Sequence, residues 1–79
     1  MKKIEINGKE VTTNFGENGM HTLVVGNDLP NYRMELMNDM ETVQQFLERL
    51  VDKGYTRIRF AETSTRIKGY HKTIAYCRR

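Results

Sequence analysis

The sequence predicts an α+β domain, with a mainly antiparallel sheet of five to six strands and one amphipathic helix packed on one face. Three observations lead to this fold class. An Asn-Gly pair separates two alternating runs near the N-terminus, one stretch of helical periodicity lies in the middle, and two more alternating runs end the chain. Short turns and a single helix favour antiparallel pairing. With 79 residues, we expect one small domain over 1–79 in the order β-β-β-β-α-β-β.

The first two strands are expected on either side of Asn7-Gly8. Both positions of a two-residue hairpin turn need a positive φ, which Asn and Gly adopt most readily. Such a turn also sets like charges opposite each other at one pair, at a small cost. The expected pairs are Ile6 with Lys9, Glu5 with Glu10, and Ile4 with Val11.

Two further strands are expected before the helix. Residues 20–25 contain a run of three apolar side chains, which is typical of a central strand. Residues 32–37 alternate in polarity and predict a fourth strand. In this region Met34, Met37 and Met40 also fit helical spacing, so a helical alternative stays open.

The helix is expected over residues 39–53. Asn38 followed by Glu41 has the spacing of a capping box, and Gly54 suits the left-handed position after a helix. The apolar side consists of Met40, Val43, Phe46, Leu47, Leu50 and Val51. The opposite side carries Glu41, Gln45, Glu48 and Asp52, which we interpret as a solvated face or, alternatively, as a docking strip for a basic partner.

The last two strands are expected over residues 55–62 and 70–78. In the first of them Ile58 and Phe60 would face the helix, because alternate side chains share one side of a strand. The residues then expected on the open side are Tyr55, Arg57 and Arg59. For residues 70–78 the sequence leaves open which side is buried.

Charge divides the chain into two parts. Residues 1–52 hold five basic and nine acidic side chains, a net charge of −4. Residues 53–79 hold eight basic side chains and one acidic, a net charge of +7. The total of +3 therefore combines an acidic part with a strongly basic one, in which cations alternate with aromatic rings. This mixture is typical of surfaces that bind phosphate oxygens and stack on bases.

We therefore expect a non-enzymatic binding module whose basic C-terminal hairpin engages a polyanion. Nucleic acid is the first partner expected, and an acidic protein surface is the second. The candidate contacts are Tyr55, Arg57, Arg59, Arg66, Lys68, Tyr70, Lys72 and Arg78. In a plainer interpretation, Arg57 and Arg59 only solvate the sheet or neutralise the acidic part within the same fold.

An alternative function is a small protein–protein interaction inhibitor or adaptor that binds a host protein, either as a monomer or as a homodimer. Apolar strips at Leu23/Val25 and at Tyr32/Met34/Met37 would be its contact surfaces, if they are exposed. In general character only, the chain resembles the small inhibitors and adaptors of phages and mobile elements.

Catalysis and metal binding are not expected. His21, His71 and Cys77 occur singly, whereas zinc sites and nucleophile–base pairs need such residues clustered. No glycine motif for phosphate cradling is present. We expect no cofactor, no metal, no small-molecule substrate and no membrane partner. One lone cysteine and the lack of an apolar leader or spanning run favour a cytoplasmic location.

Overall fold

The described strands and helix follow the order β-β-β-α-β-β. A computed structural model describes residues 1–18, 20 and 31–79. Its elements are β1 (Lys2–Ile6), β2 (Lys9–Thr13), β3 (Arg33–Leu36), α1 (Val43–Asp52), β4 (Arg57–Ser64) and β5 (His71–Arg78). The strand expected over 20–25 falls on residues that are, apart from Met20, outside the described ones. The strand expected over 32–37 is present as β3, which decides against its helical alternative.

The strands form one mixed sheet in the order β1-β2-β4-β5-β3. Within the described part of the chain, β1–β2, β4–β5 and β3–β5 are antiparallel, whereas β2–β4 is parallel. Parallel neighbours need a long connection, and the chain between β2 and β4 supplies one that includes α1. The α+β class is therefore confirmed, with a mixed sheet.

The hairpin of β1 and β2 confirms the predicted turn and register. Asn7 has φ 50° and Gly8 has φ 81°, so both turn positions are left-handed. Ile4 pairs with Val11, and the like-charged Glu5 and Glu10 pair directly. The turn chemistry and the buried apolar side therefore outweigh the cost of placing two carboxylates opposite each other.

The helix begins at Val43, four residues later than predicted. Thr42 is the N-cap: the Gln45 amide donates to its Oγ1 at 3.1 Å, and its own amide donates to Gln45 Oε1 at 2.9 Å. Asn38 and Glu41 form a separate turn, in which the Asn38 amide donates to Glu41 Oε1 at 3.1 Å. The predicted cap is wrong because Thr42 has extended backbone, with ψ at 163°, and this ends any continuous helix from residue 39.

The main core joins the helix to strands of the sheet. Its buried members are Val11, Phe46, Leu47, Leu50, Val51, Tyr55, Ile58, Phe60, Ala75 and Cys77. Phe46 of α1 meets Phe60 of β4 edge to face, with ring centroids 5.7 Å apart. Met40 was expected on the apolar side of the helix, but it is not part of the core. It precedes the helix and is 95% exposed.

Both sides of β5 are buried, which answers the question that the sequence left open. Ala75 and Cys77 belong to the main core. Ile74 and Tyr76 point to the other side, where with Ala61 they form a second cluster against which Tyr32 packs. Among the described residues, no helix has the length and apolar character needed to span a bilayer.

Candidate functional site

Three arginines from two neighbouring strands share the side of the sheet opposite Ile58 and Phe60. Arg57 pairs directly with Arg78, and Arg59 lies two residues further along β4. Paired residues of antiparallel strands point to the same side, and all three arginines are exposed. We call this side of the sheet the arginine face.

No carboxylate of the described residues is ion-paired with these three arginines, although the register places Glu5 and Glu10 on the same side of the sheet. The ion pairs found there involve the N-terminus, Lys3, Arg49 and Lys53, and none involves Arg57, Arg59 or Arg78. Among the described residues, Arg57 donates a side-chain hydrogen bond of 3.2 Å from its Nε to the hydroxyl of Tyr32. Ion pairs with the acidic part of the chain, one of the two plainer interpretations of Arg57 and Arg59, are therefore not seen among the described residues.

The cations of the helix region are paired instead. Arg49 donates from two nitrogens to Glu41, at 2.8 and 2.9 Å, and Lys53 donates to Glu35 at 3.0 Å. The hydrogen bond from Arg49 lowers the pKa of Glu41. Burial raises the pKa of Glu35, but hydrogen bonds from Tyr55 and Lys53 outweigh it, so that this pKa also lies below its ordinary value.

Tyr55 does not belong to the arginine face, and its predicted place on the open side of β4 is wrong. The side chain is 3% exposed and lies in the main core. Its hydroxyl donates to Glu35 Oε2 at 2.7 Å, and the Arg79 guanidinium lies 4.7 Å from the ring centroid. The alternation of exposed and buried side chains along β4 does not extend back to residue 55. The strand begins at Arg57, and Gly54 turns the chain with φ 95°.

The other predicted contacts lie towards the far end of the same hairpin. Lys72 pairs with Thr63 and shares the side of the arginine face, half-buried. Arg66 and Lys68 are exposed in the turn between β4 and β5, next to Tyr70, which is 58% exposed. From Arg57 to Ser64 the strand extends roughly 23 Å at about 3.3 Å per residue, so these groups form a second basic region.

The turn that carries this second region is held by the Thr65 hydroxyl. Oγ1 accepts from the Ile67 amide at 3.2 Å and donates to the Tyr70 carbonyl at 3.0 Å. Gly69 supplies the left-handed position, with φ 84°. The backbone of the turn is thereby fixed while the side chains of Arg66 and Lys68 project outward.

An exposed apolar strip borders the arginine face, and sequence reasoning identified it only in part. Met34 pairs with Tyr76 and Leu36 with Ile74, so both point to the side of the arginines. Met34 is 53% and Leu36 is 48% exposed. Met37, predicted to share this strip, packs against the main core instead. The missing signal was the position of β3 beside β5, a pairing between segments about forty residues apart that no local pattern specifies.

The thiol of Cys77 lies in the main core and is 1% exposed. Burial raises its pKa to about 12, with a further contribution from Glu35. A thiol in this state is a poor nucleophile. His21 lies outside the described residues. In the part of the chain that is described, no three His, Cys, Asp or Glu side chains are grouped to hold a metal ion.

Comparisons with known proteins found no family model, no curated protein and no solved structure that matches this chain.

Proposed function

We propose that this protein binds nucleic acid through the arginine face. One observation carries the proposal: Arg57, Arg59 and Arg78 are exposed on one side of the sheet, and no carboxylate among the described residues pairs with them. Like charges directly opposite in a sheet are destabilising, so the Arg57–Arg78 pair is an unfavourable arrangement for the free protein. A bound polyanion would relieve this repulsion.

The chemistry of the cations suits phosphate. A guanidinium group presents a planar set of donors that can bind two phosphate oxygens at once. Measured along the helix axis, a hairpin roughly 23 Å long spans about seven base-pair steps of a duplex at 3.4 Å each. The arginine face would hold one end of such a backbone, and Arg66, Lys68 and Lys72 would hold the other.

The fold supports this assignment because the helix and the arginines are associated with opposite sides of the sheet. Helix residues Phe46, Leu47, Leu50 and Val51 share a core with Ile58 and Phe60. We infer that the helix lies across that side of the sheet. On the arginine face Ala61, Ile74 and Tyr76 are covered, whereas the side chains of Arg57, Arg59 and Arg78 are exposed and can reach a partner. A cytoplasmic location fits the proposal, because nucleic acid is present there and cysteine thiols stay reduced.

The proposal is tested with two variants of equal charge. R57Q/R59Q/R78Q removes the arginine face, whereas K2Q/K9Q/R33Q removes three exposed cations that the register places on the other side of the sheet. Each takes the formal net charge from +3 to zero. Binding to a fluorescent oligonucleotide is measured by anisotropy at about 50 mM salt, where phosphate contacts are strong.

We expect wild type and K2Q/K9Q/R33Q to bind, and R57Q/R59Q/R78Q to lose at least about a hundredfold in affinity, at roughly 1 kcal/mol for each lost charge-assisted contact. Wild-type protein that fails to bind at this salt concentration would contradict the proposal. Equal losses in the two variants would also contradict it, because they would show that only net charge matters.

A second candidate function is binding to a protein partner, as an inhibitor or adaptor. It is favoured by Ile67, which is 69% exposed at the tip of the β4–β5 turn. An apolar side chain presented on a fixed turn can serve as an anchor in a partner's pocket. This candidate predicts a partner that is retained after nuclease treatment and at high salt, and lost when Ile67 is changed to Ser.

A further inference from the structure

The arginine face carries an exposed cationic row and an exposed apolar row, and between the two rows the side chains of Ile74 and Tyr76 are buried. Arg57 and Arg59 lie on β4, and the exposed Met34 and Leu36 lie on β3, with β5 between them. Neighbouring strands are about 4.8 Å apart, so the cationic row and the apolar row run side by side at roughly 10 Å.

The aromatic ring of Tyr32 joins the two rows. Its hydroxyl accepts a hydrogen bond from Arg57 Nε at 3.2 Å, and the residue packs against Ala61, Ile74 and Tyr76. Tyr32 is itself only half-buried. A planar group is therefore held beside the arginines and continues the apolar row of Met34 and Leu36.

Duplex and single-stranded nucleic acids use such a surface differently. In a duplex the phosphates lie outside and the bases are stacked inside, so a flat sheet reaches the backbone but leaves Met34 and Leu36 against polar groups or water. A single strand exposes its base faces next to its phosphates. Bases stack on aromatic and apolar side chains while the backbone follows a row of cations.

We propose that the arginine face selects single-stranded over duplex nucleic acid, with the sugar–phosphate backbone along β4 and the bases over Tyr32, Met34 and Leu36. The inference rests on the proposed function, because it requires that nucleic acid binds at this face. It adds the class of ligand and a second set of contacts that do not depend on charge.

The test compares an oligothymidine of about 20 nucleotides with a DNA duplex of the same length, both by anisotropy. We expect wild type to bind the single strand at least about tenfold more tightly. In M34T/L36T the ratio of single-strand affinity to duplex affinity should fall close to one, because only the binding of the single strand becomes weaker. M40T, which alters a methionine that is 95% exposed beside the helix residues Gln45 and Arg49, should retain the preference.

The outcomes separate this inference from the proposed function. Equal affinity of wild type for both probes, or an unchanged preference in M34T/L36T, overturns the inference while nucleic-acid binding stands. Absence of binding to either probe overturns the proposed function itself. If M34T/L36T proves unfolded by circular dichroism, the single variant M34Q is used, since half of that side chain is already in solvent.

Discussion

At the scale of single residues, Tyr55 shows how burial decides between two roles of an aromatic side chain. Its sequence neighbours suggested a stacking platform, but the ring lies in the core and its hydroxyl binds Glu35. The partner is twenty residues away in sequence, and no spacing rule connects the two positions. Residue identity therefore indicated a binding tyrosine where the contacts show a structural one.

Removal of the Tyr55 hydroxyl is expected to lower stability without affecting binding. Y55F deletes a hydrogen bond to a carboxylate, which costs about 1.5–3 kcal/mol in the free energy of unfolding. Y70F serves as the control, because Tyr70 is 58% exposed and should change by less than about 0.5 kcal/mol. Urea denaturation measures both values. A loss of oligonucleotide affinity in Y55F with unchanged stability would contradict this assignment.

The depressed pKa values of Glu35 and Glu41 predict acid sensitivity with a definite sign. In the folded state both carboxyls have a pKa below the ordinary value of 4.5. Their contribution to stability is therefore complete above pH 4.5 and decreases as the pH falls through the folded values. Urea unfolding at pH 7 and at stepwise lower pH should show this decrease in wild type, and a smaller one in E35Q/E41Q. An equal decrease in both proteins would refute the assignment.

At the scale of secondary-structure elements, local signals were reliable where one residue pair determines the backbone. Asn7-Gly8 predicted both the hairpin and its register, because a two-residue turn leaves little freedom in pairing. The start of the helix was mispredicted, since residues 38–41 and 42–45 offer caps with the same spacing. Only the second leads into continuous helix.

The two possible caps are distinguished by single substitutions. T42A should destabilise the protein by about 1 kcal/mol, because it leaves the Gln45 amide without its acceptor. N38A should have an effect below about 0.5 kcal/mol, since it is the Asn38 backbone amide, retained in the variant, that bonds Glu41. Thermal unfolding of both variants gives the comparison. A larger loss in N38A than in T42A would show that the helix begins earlier.

At the scale of the whole molecule, strand order decides the composition of the candidate site. Alternation along β4 was enough to place Arg57 and Arg59 on one side. These two arginines lie near Arg78, Met34 and Leu36 only because β5 lies between β4 and β3. Pairings of this kind arise from the packing of the complete sheet. Local patterns in a single sequence do not specify which distant strands become neighbours.

The division of the sequence into an acidic and a basic part does not carry over unchanged into the folded protein. Lys53 belongs to the basic part of the sequence and yet pairs with Glu35 of the acidic part. The excess positive charge is therefore reduced near the helix and remains on the arginine face and at the turn. The relevant quantity for a partner is this local cluster of cations, and the net charge of +3 conceals it.

The salt dependence of oligonucleotide binding tests the central claim most directly. For single strands, each phosphate contact contributes about −0.7 to the slope of log K against log salt. Loss of Arg57, Arg59 and Arg78 should therefore make the slope of R57Q/R59Q/R78Q shallower by about 2, whereas K2Q/K9Q/R33Q should keep the wild-type slope. Equal slopes in all three proteins, or the same reduction in both variants, would contradict phosphate contact at the arginine face.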